Sequence, residues 1–271
     1  MFVLAGCNRV FGLEATEHEP LEASIPLLPD GNTLIDEDLD GILNEMDNCP
    51  GVPNPDQADT SDIAKGLPPD GVGDACDPDD SGTHEIVARY FFNDTGDTIR
   101  FSAEPAGAFT FHEGYVEIER TTDFAYLHGL DMPAFARGEL TVEAGFELLD
   151  QEAGTKVGVY ADGPQTHYAY VDLQPLPFLV AVGTYPPPDP CVPMNGTGLC
   201  DAESIPTLPE RVVVQLRAGP ANPKKDNLKA ILAGTGIDTK ADSSGTAMNT
   251  FGVVVKSAHA RLDHVIVYRK L

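Results

Sequence analysis

The sequence predicts a mostly β protein built around a two-sheet antiparallel sandwich of the jelly-roll kind, and three observations lead there. Period-2 alternation of apolar and polar residues recurs along residues 84–271, as half-buried strands require. The chain holds 26 Gly and 23 Pro, which punctuate it too often for long helices. No long segment carries an apolar stripe at the helical period. With 271 residues and 42% hydrophobic composition the chain can bury a sizeable core, as one large or two modest domains.

The strands follow in order. Residues 86–92 (IVARYFF) and 115–119 (YVEIE) open the series. Residues 140–148 (LTVEAGFEL) alternate most clearly, sending Ala144, Phe146 and Leu148 to one face and Glu143 and Glu147 to the other. Then come 156–160 (KVGVY), 167–173 (HYAYVDL), 178–182 (FLVAV), 211–217 (RVVVQLR), 228–232 (LKAIL), 251–256 (FGVVVK) and 262–268 (LDHVIVY). Gly, Pro, Asp and Asn fill the gaps. About a dozen short strands of this kind close most economically as two packed antiparallel sheets.

The formal charge is −26, from 17 Lys and Arg against 43 Asp and Glu. A balance this acidic excludes nucleic acid and anionic membrane surfaces as partners, since both demand basic patches. No run of 18 apolar residues, the length that would mark a bilayer-crossing helix, occurs in the chain. The charge is concentrated: residues 14–83 hold 19 acidic residues and one basic residue, Lys65. A solvated acidic tail is the plain expectation for such a block, but the spacing of its acids points elsewhere.

Residues 36–47 read DEDLDGILNEMD. Asp36, Asp38 and Asp40 stand at positions 1, 3 and 5 of a twelve-residue loop, with Gly41 at the sharp turn of position 6. Ile42 offers its carbonyl at position 7, Asn44 a direct or water-mediated contact at 9, and Asp47 closes the loop at 12 where Glu is usual. This is the oxygen-ligand spacing of an EF-hand-type Ca²⁺ loop. Carboxylates this close repel one another unless a cation neutralises them.

Further on come DNCP (47–50), NPDQ (54–57) and DGVGDACD (70–77). Together with DxDxDG this order resembles the thrombospondin type 3 repeat over residues 36–80. The resemblance implies a Ca²⁺-wrapped, disulfide-linked segment with almost no apolar core, a Cys49–Cys76 pair, and a second site using Asp70, the Val72 carbonyl and Asp77. The sequence departs from the family pattern where Gly66 and Pro68 replace the acids expected before the second DG. About seven extra residues separate Asp59 from Asp70, and Asp59 and Asp62 supply the missing carboxylates if that insert loops out. Two bound Ca²⁺ would bring the formal charge of −26 to about −22.

The remaining cysteines bear on compartment. Cys191 and Cys200 lie nine positions apart in a Pro-rich loop, close enough to form a small ring; free buried thiols are the alternative. Zinc is disfavoured, because no CxxC occurs and the seven His are scattered. Two disulfides would indicate an oxidising compartment. Val3-Leu4-Ala5-Gly6-Cys7 resembles a bacterial lipobox, which implies lipidation of Cys7; a chance Cys is the alternative. Only six residues precede it, so the charged and apolar parts of a signal are expected upstream of this start. Asn8, by resemblance to lipoprotein sorting, suits the outer membrane. The expected organisation is a signal remnant at 1–7, an acidic tether at 8–35, the calcium-binding segment at 36–80 and the sandwich at 84–271.

LTVEAGFEL (140–148) and FGVVVKSAHARLDHVIVYRKL (251–271) resemble strands of concanavalin-A-like lectin/glucanase domains, laminin-G-like ones included. That resemblance implies the fold and names no ligand. A retaining glycosidase needs two carboxylates about 5 Å apart, and Glu117-Ile118-Glu119 is the one E-x-E on a predicted strand. The glucanase pattern E-x-D-x-x-E is broken by Glu119 and Thr122, and the chain has no Trp to stack on sugars. Glu117 and Glu119 therefore read as the solvent face of a strand. There is no GxSxG elbow, HExxH motif or phosphate-cradling glycine loop. No catalytic residue is assigned. A module binding a glycan or surface protein in adhesion, a passive structural domain and a degenerate glycosidase stay open for the sandwich.

Overall fold

Alternation in the sequence becomes the inner faces of two antiparallel sheets. The computed structural model describes residues 36–77, 83–93, 95–120, 122–130, 140–162, 167–173, 178–184, 200–207, 211–218, 228–233, 235, 237–241 and 250–271. Its strands, in chain order, are β1 (His84–Tyr90), β2 (Phe101–Glu104), β3 (Phe109–His112), β4 (Tyr115–Ile118) and β5 (Phe124–Gly129). They continue with β6 (Leu140–Leu148), β7 (Thr155–Asp162), β8 (His167–Leu173), β9 (Phe178–Thr184) and β10 (Cys200–Ile205). The last are β11 (Arg211–Ala218), β12 (Leu228–Leu232), β13 (Ile237–Ala241), β14 (Thr250–Lys256) and β15 (Ala260–Lys270). Two single helical turns, α1 (Ser61–Ala64) and α2 (Thr95–Thr98), complete the described elements.

The eight-stranded sheet runs β13-β12-β11-β6-β15-β4-β3, with β1 also paired to β15. The seven-stranded sheet runs β10-β9-β8-β7-β14-β5-β2. Between them lies one apolar core, to which β6 gives Leu140, Val142, Ala144 and Phe146, β11 gives Val212, Val214 and Leu216, and β14 gives Phe251, Val253 and Val255. Phe251 stacks on Tyr90 (5.9 Å between ring centroids) and meets Phe101 edge-on (6.1 Å).

β15 holds the eight-stranded sheet together. One side pairs with β6 along Ala260–Arg269; the other pairs with β4 through Ala260–Leu262 and with β1 through Val265–Lys270. Its register against β6 shifts between Leu262 and His264. The extra residue at this bulge changes which parity faces inward. Ala260 and Leu262 point into the core before it, and Val265 and Val267 after it. His264, Ile266 and Tyr268 are thereby turned to the outer face.

All ten predicted strands are present, with ends moved by a few residues. β1 stops at Tyr90, because the N–H groups of Phe91 and Phe92 turn to donate to Asp97 Oδ2 (3.0 and 2.9 Å) and Phe92 takes φ +59°. Five strands lack a clear sequence signal. β2, β3, β10 and β13 sit at the ends of the two sheets, where a strand needs only one neighbour and tolerates short, polar sequences. β5 carries Phe124 and Tyr126 at its outward positions, so the polar half of the alternation is missing. Removing the ring at Phe251 (Phe251→Ala) should lower the unfolding free energy by about 3–5 kcal/mol in urea denaturation at saturating Ca²⁺; a loss below about 1 kcal/mol would contradict this packing.

Candidate metal centres

The first acidic loop is shaped by its own backbone. Asp36 Oδ1 accepts the N–H of Asp40 (3.1 Å) and Oδ2 that of Gly41 (2.9 Å). Asp38 Oδ1 shares the Asp40 N–H (3.2 Å), and Asp40 Oδ1 accepts from Ile42 (2.8 Å), which fixes the seventh position. Gly41 makes the turn at φ +95°, a conformation that side chains with a Cβ rarely adopt. These bonds bring carboxylate oxygens of Asp36, Asp38 and Asp40 within 4.8 Å of one another. Asn44 Oδ1 accepts from the Glu37 N–H (2.9 Å), and Asp47 Oδ1 accepts from the Cys49 N–H (2.7 Å) and Gln57 Nε2 (2.8 Å).

What those bonds leave over decides whether a cation fits. Asp38 and Asp47 are 8% and 2% exposed, yet Asp38 Oδ2 and Asp47 Oδ2 have no hydrogen-bond partner among the described residues. A buried, unpartnered carboxylate oxygen is strongly disfavoured, and a hard divalent ion is the ligand that satisfies several at once. Without an ion the electrostatics are adverse. Burial first, then Asp47 and Asp40, pushes the Asp38 carboxyl up to about 7. Burial and the nearby Asp263 push Glu37 up to about 8, against the pull of Arg211. Burial also raises Asp47.

The second cluster is assembled by the insert. Its residues form α1, whose first turn is tied down by Asp74: Oδ1 accepts the N–H groups of Thr60 (2.7 Å) and Ser61 (2.8 Å), and Oδ2 accepts the Thr60 hydroxyl (2.8 Å). The turn carries Asp62 inward to 1% exposure, and oxygens of Asp59, Asp62 and Asp70 come within 4.8 Å of one another. Both Asp62 oxygens lack a hydrogen-bond partner among the described residues. Burial raises its carboxyl, and Asp70, Asp77 and Asp59 raise it further. Gly71, at φ +88°, donates to Asp59 Oδ2 (2.9 Å), and Val72 donates to Asp70 Oδ1 (2.8 Å). Asp77 Oδ1 lies 3.1 Å from the His84 ring.

Cys49 and Cys76 are disulfide-bonded, with their Cα atoms 5.5 Å apart. Cys7 and Cys191 lie outside the described residues, as does the Cys200 side chain. The disulfide marks a contact that alternation alone does not reveal. Cys49, Val52, Val72 and Cys76 pack on Val213, Ile266 and Tyr268, residues on the outer face of the eight-stranded sheet. Residues 35–271 accordingly form one compact unit.

A polar network runs beneath this contact. Glu143, expected on a polar face, is 0% exposed. Its Oε2 accepts from Gln215 Nε2 (2.6 Å) and the Tyr268 hydroxyl (3.2 Å), while Oε1 meets His264 Nε2 (3.2 Å). Gln215 Nε2 also donates to the Cys76 carbonyl (3.0 Å), linking the disulfide to Glu143. Arg211 donates to Asp263 Oδ2 (3.0 Å), lies 3.3 Å from His264 Nδ1 and approaches Glu37 (3.9 Å). Burial and adjacent Glu143 raise the Tyr268 phenol well above its ordinary value, keeping it a donor. Gly51 lies against this network; a Cβ there would overlap His264 (Nε2 at 2.5 Å) and crowd Glu143 Oε1 (3.1 Å).

Glu117 and Glu119 are placed away from these centres. Glu117 sits on β4, half-exposed and 3.1 Å from His112 Nε2, and Glu119 is exposed just past the strand end, its N–H bonded to Ala108.

The family model for the thrombospondin type 3 repeat matches residues 35–57, covering the first loop and the DNCP and NPDQ stretches. The chain thus sets a thrombospondin type 3 repeat against a two-sheet antiparallel sandwich. Among solved structures it is similar to a legume lectin-like domain from Entamoeba histolytica (10% identity, 68% of this chain and 97% of that one, TM-score 0.43). It is also similar to the exoplasmic/lumenal domain of VIP36 (10% identity, 68% and 88%, TM-score 0.46) and to a glycosyl hydrolase family 16 protein from Mycobacterium smegmatis (12% identity, 68% and 100%, TM-score 0.42). No curated protein matches the sequence.

A valine at position 51 (Gly51→Val) should force the segment off Glu143 and His264 and lower stability by about 1–3 kcal/mol. Limited proteolysis in Ca²⁺ should then cut residues 36–77 faster than in the parent; equal cleavage would show that this contact does not hold the segment.

Proposed function

We propose that the chain is a calcium-binding protein of the cell surface, held by a lipid on Cys7, in which Ca²⁺ orders residues 36–80 against a sandwich that binds a glycan or surface protein. The observation that carries the calcium part is the set of buried carboxylate oxygens on Asp38, Asp47 and Asp62 with no hydrogen-bond partner among the described residues. At the first centre Asp36, Asp38, Asp40, Asn44 and Asp47 supply side-chain oxygens, with the Ile42 carbonyl between them. At the second, Asp59, Asp62, Asp70 and Asp77 surround the ion, with the Val72 carbonyl. Ion binding cancels carboxylate repulsion in a segment whose buried apolar residues are only Cys49, Val52, Val72 and Cys76 among those described, so metal binding acts as folding free energy.

Extracellular calcium modules have dissociation constants of roughly 10⁻⁴ to 10⁻³ M, so the segment would be filled outside a cell and empty within one. The Cys49–Cys76 bond suits the same compartment. Support for the anchor is the Val3–Cys7 lipobox resemblance. The concanavalin-A-like resemblance of residues 140–148 and 251–271 supports the fold of the sandwich, and its adhesive role is part of the proposal.

Equilibrium dialysis of the full chain against Ca²⁺ should show two sites, one of which Asp40→Ala removes. An unchanged stoichiometry in that variant would eliminate the first loop. The pH dependence has a definite sign. Asp38 is raised from 3.8 to about 7 in the ion-free fold, so that fold binds an extra proton and loses stability as pH climbs through this window. Calcium expels the proton. The melting temperature gained on adding Ca²⁺ should therefore be larger at about pH 8 than at about pH 5, with proton release on binding near neutrality; an equal gain at both would contradict the buried Asp38.

A further inference from the structure

His84 is the first residue of β1 and pairs with Lys270 of β15, so it belongs to the sandwich by topology. Its side chain belongs to the second acidic cluster. The residue is 1% exposed, and its backbone N–H donates to Asp70 Oδ2. Its ring Nδ1 lies 3.1 Å from Asp77 Oδ1 and 3.8 Å from Asp70 Oδ2, and those carboxylates are themselves almost wholly buried. Despite the closeness, neither ring nitrogen makes a hydrogen bond with any described residue. The nitrogen thus touches the carboxylates sideways, without the alignment that a donated proton requires.

That combination of closeness and misalignment is what two donors on one metal ion show. Donors at right angles on an ion with bonds of about 2.2 Å stand about 3.1 Å apart, and wider angles give larger spacings. Asp62, buried in the same cluster with both oxygens unpartnered, supplies an independent sign of a missing cation. The first loop differs: its side chains and carbonyl offer oxygen alone.

We propose that His84 contributes Nδ1 to the second centre, making it a mixed nitrogen–oxygen site with Asp62, Asp70 and Asp77 that takes borderline divalent ions such as Mn²⁺ and Zn²⁺ as well as Ca²⁺. The chemistry follows from donor type. Carboxylates suit Ca²⁺ and Mn²⁺, whereas imidazole adds preference for transition metals and Zn²⁺. The two centres of one short segment would then differ in selectivity, and the second would clamp the segment to β1 through a metal–ligand bond. This inference rests on the calcium reading for the existence of the second site.

The test uses the full chain and Mn²⁺ alone as probe. Pulsed electron paramagnetic resonance of bound Mn²⁺ should show coupling to a directly bound nitrogen, and labelling the histidines with ¹⁵N should change that coupling. His84→Ala and Asp62→Asn should each abolish it, and His84→Ala should weaken Mn²⁺ at one site about tenfold or more, with the Ca²⁺ stoichiometry of the first loop unchanged. Mn²⁺ bound at two sites with no nitrogen coupling, in wild-type protein, would overturn the inference while leaving the calcium reading intact. Failure to bind either ion would sink both. Because the labelled wild-type measurement needs no variant, misfolding of His84→Ala would not protect the idea.

Discussion

Repulsion among buried carboxylates is the constraint on which the acidic segment depends. Two groups of three carboxylates are each drawn within 4.8 Å, in a stretch with few buried apolar side chains. Hydrophobic burial at about 25 cal/mol per Å² offers such a segment little, and unpaired buried charge would more than cancel it. Three other agents compensate: backbone N–H groups that bond oxygens of Asp36, Asp38, Asp40, Asp59 and Asp70, the disulfide, and the surface onto which the segment is laid. The proposed divalent ions would complete the set.

That surface is prepared by the sandwich. The bulge near Asp263 presents His264, Ile266 and Tyr268 outward from a strand whose earlier residues obey the opposite parity. Glu143 then becomes the hub, bonded to Gln215, Tyr268 and His264 and through Gln215 to the Cys76 carbonyl. A buried carboxylate is tolerated here because its oxygens are met by Gln215 of β11 and by His264 and Tyr268 of β15. Gly51 is the counterpart on the segment, small enough to let its backbone lie on the ring of His264.

The parts legible in the sequence were the local ones. The shape of the first loop could be read because its carboxylates recur within twelve residues and its turn demands a glycine, both short-range facts. The long strands could be read because inward and outward residues differ in polarity. The edge strands could not, since one neighbour suffices to hold them. Glu143 was misleading for a physical reason: a charged residue at an outward position looks solvent-facing, and only contacts 72 to 139 residues apart in sequence, such as Glu143–Gln215 and Gln215–Cys76, show that it is covered. Asp74 and His84 were equally silent. Asp74 acts by closing a helical turn fourteen residues earlier, and His84 by geometry that strand pattern does not encode.

The burial of β6 has a consequence for how this protein can vary. From Leu140 to Phe146 every residue is buried, on the core side and on the side beneath the segment. In most antiparallel sandwiches half of a strand's positions face water and drift freely. Here the eight-stranded sheet is a middle layer, so neither parity of β6 is released from selection. Substitutions should accumulate instead on strands such as β4 and β13, and a chain that lost the acidic segment would need new polar residues along β6, β11 and β15 to remain soluble.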